Sequence, residues 1–381
     1  MKRTLCLLLC LIFMLPATAH AALPEISAPS AILMEKETGA ILGEKNADTP
    51  HEPASVTKIM TLLLTMEAID SGALKISDTV TVSAYAQSMG GSNVFLAEGE
   101  EITVDDLLKA VCVASGNDAA VALAETVSGT TELFVQRMNN RARELGMKNT
   151  HFVNCTGLPA EGHLTTARDI ALMSRELILR HPDLRRYTTI WMDSLRGGKF
   201  QLSNTNKLIR FYPGATGLKT GSTSSAKFCL SATAERDGME LIAVVLKAPT
   251  SKDRFADAKA LLNYGFAAWS LQPIRPEQPL PAIPVRLGTA PSVAVTLPKK
   301  SQSVLLPKSS AKISQKIVLP DFLDAPVEKG EKLGTLTVTQ KDRKIKEIPL
   351  LAAQGVEKLH WSDQFLRMLA ASLLRSPGDF S

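Results

Sequence analysis

Phe228-Cys229-Leu230-Ser231-Ala232-Thr233-Ala234, then Asp237-Gly238, then Met239 through Leu246, sets two β-prone runs around a dipeptide that favours a tight turn with positive φ. The pattern predicts a β-hairpin. Toward the N-terminus, Ala31-Ile32-Leu33-Met34-Glu35 reaches Glu37-Thr38-Gly39 and returns as Ala40-Ile41-Leu42-Gly43, a second hairpin. Between the two, Ile59–Ile69, Val104–Val113, Ala119–Val127, Thr131–Leu145 and Thr166–Leu179 are rich in helix formers. Ser251–Trp269 closes the region, with Phe255, Leu262 and Phe266 on one stripe. Strands at both ends with helices between predict an α+β domain, residues 22–270, in which helices cover an antiparallel sheet.

Beyond Trp269 the composition changes. Pro273, Pro276, Pro279, Pro281 and Pro284 fall within 12 residues, which disfavours helix and marks a linker or the entry to an edge strand. Short alternating segments follow, among them Ser292–Leu297 and Gly334–Thr339, and predict a small all-β C-terminal domain over 276–350. Lys299 to Lys346 holds 11 Lys and Arg against 5 Asp and Glu, which reads as a solvated strand face. There is no internal repeat.

The two ends read differently from the middle. Met1-Lys2-Arg3 is basic, Leu5 to Pro16 is apolar and uncharged, and Ala19-His20-Ala21 sets small residues at a cleavage point, so residues 1–21 are expected to be a signal peptide of an exported protein. The apolar run is too short to span a bilayer comfortably. Removing 21 of the 381 residues leaves 360 and lowers the net charge from +5 to +3, too mild a balance for nucleic acid as the main partner. A hydrophobic content of 45% excludes disorder and collagen-like repeats. Cys6 and Cys10 leave with the leader, and Leu9 before Cys10 argues against lipidation. The odd set Cys112, Cys155 and Cys229 argues against a disulfide framework. At the other end, Trp361, Phe365, Met368, Leu369 and Leu373 fall on one side of a helix, with Asp363, Gln364, Arg367 and Arg375 opposite. An amphipathic helix is expected over 359–376.

Three short motifs carry chemistry. Ser55-Val56-Thr57-Lys58 follows Pro53 and opens an apolar helical run, so Ser55 and Lys58 share a face. A serine hydroxyl needs a base within hydrogen-bond reach, and a lysine one turn on can serve if it is neutral. Burial and a second cation both favour the neutral form. The spacing alone says little, since Ser224/Lys227 and Ser309/Lys312 repeat it. Ser115-Gly116-Asn117 sits in a break between two helices, where it could simply be a cap. Lys219-Thr220-Gly221 follows a turn-rich stretch and precedes the Asp-Gly hairpin, where a lysine could simply protect a solvent-facing strand edge.

In this order, with 60 residues from Ser55 to Ser115 and 104 from Ser115 to Lys219, the three resemble the motif set of β-lactamases and penicillin-binding proteins. His151–Leu158, His163–Asp169, Asn204–Lys207 and Gly217–Gly221 narrow this to a resemblance to low-molecular-mass penicillin-binding proteins of the D-alanyl-D-alanine carboxypeptidase type. Ala325–Gly330 resembles that family's C-terminal β domain. Cys155 stands where the family often has proline. The resemblance implies a β-lactamase/transpeptidase-like fold and release of the terminal D-alanine from peptidoglycan stem peptides through an acyl-enzyme, with β-lactam antibiotics as inhibitors. Carried over, Ser55 is the nucleophile and Lys58 its base. Ser115 relays a proton to the leaving D-alanine, and Asn117 holds Lys58 or the substrate amide. Lys219 and Thr220 bind the terminal carboxylate, and Lys219 is the second cation. The N–H groups of Ser55 and Ser222 form the oxyanion hole, with Gly221 allowing the substrate backbone close. The chemistry calls for no metal or cofactor. The family also implies that the C-terminal helix lies on the outer face of the cytoplasmic membrane.

Three rivals stand beside this reading. A class A β-lactamase needs a glutamate for deacylation, and Glu161-Gly162-His163-Leu164-Thr165 is the nearest string, ending in Thr where that family has Asn. A zinc carboxypeptidase could use His151, Cys155 and His163, although their spacing matches no zinc pattern. A catalytically silent wall-binding protein would keep the fold, and the intact Ser55, Lys58, Ser115 and Lys219 count against it.

Overall fold

The computed structural model describes residues 23–276, 278–298, 303–310, 312–341, 343–363 and 365–366. β1 (Ser30–Glu35) and β2 (Ile41–Lys45) form the first hairpin. The buried Glu35 carboxylate ties its turn by accepting from the N–H groups of Glu37 and Thr38 and from the Thr38 hydroxyl. A 3-10 turn, Ala54–Thr57, leads into α1 (Lys58–Asp70). Next come β3 (Thr79–Thr81), α2 (Ala84–Gln87), β4 (Glu101–Thr103), α3 (Val104–Lys109), α4 (Asn117–Ser128), α5 (Thr131–Glu144) and α6 (Ala167–Arg180). The chain continues through α7 (Arg185–Thr188), the hairpin of β5 (Met192–Leu195) and β6 (Phe200–Ser203), and α8 (Leu208–Phe211). It then enters β7 (Ala215–Thr223), β8 (Lys227–Arg236), β9 (Met239–Ala248) and α9 (Ser251–Ala268). Thr130, Thr166 and Thr250 cap α5, α6 and α9 by accepting a backbone N–H at the hydroxyl, satisfying a donor the helix itself leaves open.

The sheet runs β2-β1-β9-β8-β7, antiparallel throughout. Its longest hairpin is the predicted one, with Asp237 at φ 50° and Gly238 at φ 73° between the paired Arg236 and Met239. Two consecutive positive-φ residues match the right-handed strand twist. Leu241, Ala243 and Val245 of β9 pack with Phe255, Leu262 and Phe266 of α9, while Ile242, Val244 and Leu246 pack on the other face with α1 and α6. Because side chains alternate faces, a strand covered on both sides reads as an unbroken apolar run. α1 is apolar all round for a related reason, being buried from Lys58 to Met66.

One predicted helix is broken. The stretch read as helix from Val104 to Val113 is α-helical only to Lys109. Ala110–Ala114 then widens to a π turn and Ser115 adopts left-handed φ 65°, ψ 30°. The apolar residues of that stretch stay buried through the change of pitch, so the hydrophobic pattern does not register it. Such π turns concentrate at functional sites.

The C-terminal region is made of strands. β10 (Trp269–Pro273) pairs with β14 (Ser303–Pro307), so the chain enters by an edge strand directly after α9. β11 (Ile283–Arg286), β12 (Ser292–Val293) and β16 (Leu323–Asp324) form one small sheet. β13 (Val295–Thr296), β15 (Ser314–Val318), β17 (Lys332–Gln340) and β18 (Arg343–Ala352) form another. Val285, Val293, Val304, Leu336, Ile348 and Leu350 fill the core between them. Isolated bridges, Val327 to Val356 and Gly288 to Lys358, carry the pairing beyond residue 350. The expected signal peptide, and the expected amphipathic helix from Arg367 onward, lie outside the described residues. Trp361, Phe365 and Leu366 are exposed. Among the described residues no helix is long and apolar enough to cross a membrane.

Candidate active site

The turn Ala54–Thr57 and the first residue of α1 bring Ser55 and Lys58 together, with Lys58 Nζ 3.0 Å from Ser55 Oγ. Lys58 is completely buried, and burial pushes its ammonium down to about 7, opposed by the Asp118 carboxylate. Its other two contacts are the Asn117 side-chain oxygen at 2.5 Å and the Thr156 carbonyl at 2.8 Å. Both can only accept. A neutral amine has two protons and one lone pair, so these two acceptors take the protons and leave the lone pair facing the Ser55 hydroxyl. The geometry fits a base ready to take a proton.

One helical face fixes the loop that supplies the Thr156 carbonyl. Thr61 Oγ1 donates to the Cys155 carbonyl at 2.7 Å, Lys58 holds Thr156, and Thr57 Oγ1 meets His163 Nε2 at 2.9 Å. His163 Nδ1 accepts from the Val153 N–H at 3.0 Å, which places the ring proton on Nε2. Burial, with His151 nearby, holds His163 down to about 4, so it is neutral at physiological pH. Both its nitrogens serve the protein, while the Cys155 sulfur faces the Ala120 carbonyl. His163 and Cys155 thus hold the loop, the structural role that the sequence favours for them over a zinc site, and among the described residues no group of His, Cys, Asp and Glu is arranged to hold a metal ion. Gly157, at φ 85°, passes so close to Ala54 that an added Cβ would lie 1.8 Å from the Ala54 carbonyl oxygen. Ala54 itself sits at φ 49°, a strained value for a residue with a side chain.

The π turn and the left-handed Ser115 turn the chain so that Ser115 and Asn117 both face inward, each 3% exposed. Asn117 Nδ2 donates to the Gly90 carbonyl at 2.6 Å, which orients its oxygen toward Lys58. Asp118, 1% exposed, accepts from the N–H groups of Val94, Leu96 and Ala119 and so pins the loop that carries Gly90.

β7 is an edge strand, yet Lys219 does not face solvent: it is 1% exposed, and its Nζ reaches Ser115 Oγ at 2.7 Å and the Thr220 carbonyl at 2.9 Å. Burial first, then the nearby Lys58 and Arg254, hold its ammonium well below the usual lysine range. Burial is the first cause at both lysines, and at Lys219 the charge of Lys58 adds to it, as two cations sharing one buried cleft favour each other's neutral form. Thr220 Oγ1 donates to Thr205 Oγ1 at 2.8 Å, and Asn206 holds the Gly217 carbonyl at 2.8 Å. Gly221 admits the chain's own backbone at close range. An added Cβ would come within 2.8 Å of the Ser55 nitrogen and 2.9 Å of the Val56 nitrogen. Ser222, next along β7, is exposed.

Three participants escaped the sequence reading. The Thr156 carbonyl has no side-chain signature, although Asn154, which caps that loop through its side-chain oxygen, offered one. Asp118 lies in the first turn of α4, where an acid is common and signals nothing more. Arg254 Nη1 donates to the Gly221 carbonyl at 3.0 Å and its guanidinium lies over Phe228 and Phe255. It is 8% exposed, has an unpartnered Nε and no carboxylate in ion-pair reach among the described residues, and burial lowers it to about 10. A buried cation without a carboxylate, backing the Lys-Thr-Gly strand, makes that end of the cleft receptive to an anion. Glu161, by contrast, is exposed on the turn before His163 and takes no part in the hydrogen bonds around Lys58.

This architecture is that of the penicillin-binding proteins. The crystal structure of penicillin binding protein 5 from Haemophilus influenzae is similar to it with a TM-score of 0.76 and 31% identity, covering 88% of this chain and 99% of that one. Penicillin-Binding Protein D2 from Listeria monocytogenes, solved in its ampicillin-bound form, is similar over 64% of this chain and 100% of that one, with a TM-score of 0.59 and 34% identity. Residues 273–358 match the family model described as the penicillin-binding protein 5 C-terminal domain. The chain belongs to the serine-type D-alanyl-D-alanine carboxypeptidases: that family's model matches residues 17–250, and the D-alanyl-D-alanine carboxypeptidase DacF of Bacillus subtilis is 43% identical over 337 residues, 87% of this chain and 86% of the relative.

Proposed function

We propose that the chain removes the terminal D-alanine from peptidoglycan stem peptides through an ester on Ser55. Neutral Lys58 takes the Ser55 proton as Oγ attacks the penultimate carbonyl, and the N–H groups of Ser55 and Ser222 receive the oxyanion. Ser115 passes a proton to the departing amine of D-alanine, and water then cleaves the ester and restores the hydroxyl. Lys219, Thr220 and Arg254 hold the terminal carboxylate, and Asn117 keeps Lys58 in place. The observation that carries this reading is the Lys58 hydrogen-bond set, which leaves a lone pair facing Ser55.

Penicillin presents an acyl carbonyl and a carboxylate to the same groups, and the ampicillin-bound Listeria protein supports a β-lactam adduct here. Intact-mass spectrometry tests it: penicillin adds one adduct that Ser55→Ala abolishes, and an adduct persisting in that variant overturns the assignment. Incubation with a peptide ending in D-Ala-D-Ala tests turnover. One D-alanine released per peptide separates this enzyme from a silent wall-binding protein, and slow loss of the penicillin ester separates it from a β-lactamase.

The same reading includes export of the mature chain from about residue 22 and division into a catalytic domain, 22–270, and a β domain beginning near 276. It also includes peripheral attachment to the outer face of the cytoplasmic membrane through 359–376. The apolar stripe Trp361, Phe365, Met368, Leu369 and Leu373 supports the last of these.

A further inference from the structure

Phe95 is the most exposed large apolar side chain of the domain that holds the site, at 75%, and its backbone sits at φ 55°, where a bulky residue is a genuine outlier. Nothing about this placement is loose. The N–H groups of its two neighbours, Val94 and Leu96, both donate at 3.0 Å to the same Asp118 carboxylate, and both neighbours are buried. From the other side Arg196 donates to the carbonyls of Val94 and Phe95, each at 3.0 Å, while it is ion-paired with Glu100 at 2.7 Å. Two charged residues thus hold three consecutive peptides so that the middle side chain points out. Strained backbone persists only where the surroundings over-determine it, and such strain gathers at ligand clamps and active sites.

The neighbours of Phe95 place it beside the site. Asp118 follows Asn117, the residue on Lys58. The Phe95 ring meets Phe200 of β6 edge-on at 6.1 Å, and the chain leaves β6 at Ser203 two residues before Thr205, which accepts the Thr220 hydrogen bond. Phe95 and Phe200 thus join the segment that Asp118 pins, next to Asn117, to the segment that leads on to Thr205. We propose that Phe95, backed by Phe200, is a substrate-contacting residue, an apolar wall at the rim that covers the non-polar surface of the bound acyl donor, whether peptide methylenes or the fused rings of a β-lactam. The proposal rests on the acyl-transfer reading above.

The test exploits the strain. Asn and Gly tolerate left-handed φ, so Phe95→Asn and Phe95→Gly relieve the backbone while removing the ring. Both are expected to melt at or above the wild-type Tm and to acylate with penicillin about tenfold more slowly in k2/K, as expected for losing an aromatic contact. The loss falls on K, not on k2, with the pH midpoint of acylation unchanged, and Phe95→Tyr restores the rate. Unchanged k2/K in Phe95→Asn overturns the proposal. So does a loss accompanied by lower Tm and a shifted midpoint, because the ring would then be structural. Wild-type protein that is never labelled at Ser55 overturns both this proposal and the function it rests on, whereas labelled wild type with an unaffected variant overturns this proposal alone.

Discussion

A side-chain carbon on Gly157 would fall 1.8 Å from the carbonyl oxygen of Ala54, the residue before the proposed nucleophile. The loop that gives Lys58 its second acceptor and the turn that carries Ser55 therefore interlock through a position with no room for a methyl group.

Gly157→Ala should damage both stability and acylation. The native φ of 85° is unfavourable for alanine, and the clash is with backbone, which cannot swing aside. Unfolding by denaturant should show a loss of about 2–4 kcal/mol, and penicillin labelling at 25 °C should fall at least tenfold. Wild-type behaviour in both would mean that the loop and the turn separate easily.

Acylation should rise with pH through about 7 and level off above it, because the reactive form of Lys58 is the deprotonated one and burial lowers it to that value. Stopped-flow acylation from pH 5 to 9 measures the profile, and a flat one argues against a titrating lysine.

The same lysine should leave a mark on stability. Folded Lys58 is deprotonated above about 7, while the unfolded chain keeps the proton up to the ordinary lysine value of 10.5. Between those limits the unfolded state binds more protons, so stability increases as pH rises, by about 1.4 kcal/mol per unit for this one group. Lys58→Met lacks the group. Urea unfolding at pH 7.5 and 9 should give a smaller increase with pH for the variant than for wild type, and equal slopes would show that Lys58 is protonated in the folded protein.

A carboxylate entering beside Lys219 and Arg254 favours the charged lysine, which burial and its neighbours now disfavour. Binding of a D-Ala-D-Ala peptide to Ser55→Ala at pH 8 should then take up protons, read by calorimetry in buffers of different ionisation enthalpy. Amidating the terminal carboxyl should abolish the uptake and, in active enzyme, cost about 2–4 kcal/mol of transition-state stabilisation. Equal rates for acid and amide would remove Lys219 from this role.

Truncation after Lys358 should release the protein from anionic liposomes while leaving hydrolysis of a small peptide unchanged. Five apolar side chains, each worth up to about 1.5–3 kcal/mol when fully buried, would account for the peripheral binding proposed above. Unfolding of the truncated chain would instead assign 359–376 to the core.

The sheet was legible because Asp237-Gly238 and the apolar runs beside it state both a turn and its flanking strands. The helices from Ile59, Ala119, Thr131, Thr166 and Ser251 were legible from their formers and closed within two residues of where they were expected. The side chains that meet in the cleft were legible as motifs. Backbone was not: the Thr156 carbonyl, the left-handed Ser115 and the close approach at Gly221 are properties of chain path, which side-chain identity constrains only weakly. Lys219 taken singly could be a solvent-facing edge lysine, because nothing in the sequence shows that the turn carrying Ser115 meets its side chain.

Cys112, Cys155 and Cys229 are free and buried, and burial pushes their thiols up to about 12, 12 and 11. A thiol reacts as the thiolate, so the folded molecule is chemically silent to alkylating reagents. In a chain lacking residues 1–21, every alkylation event then records an opening of the catalytic domain, and the three positions sample it separately: the π turn at Cys112, the Lys58 loop at Cys155 and strand β8 at Cys229. The protein carries its own reporters of which part of the site breathes first.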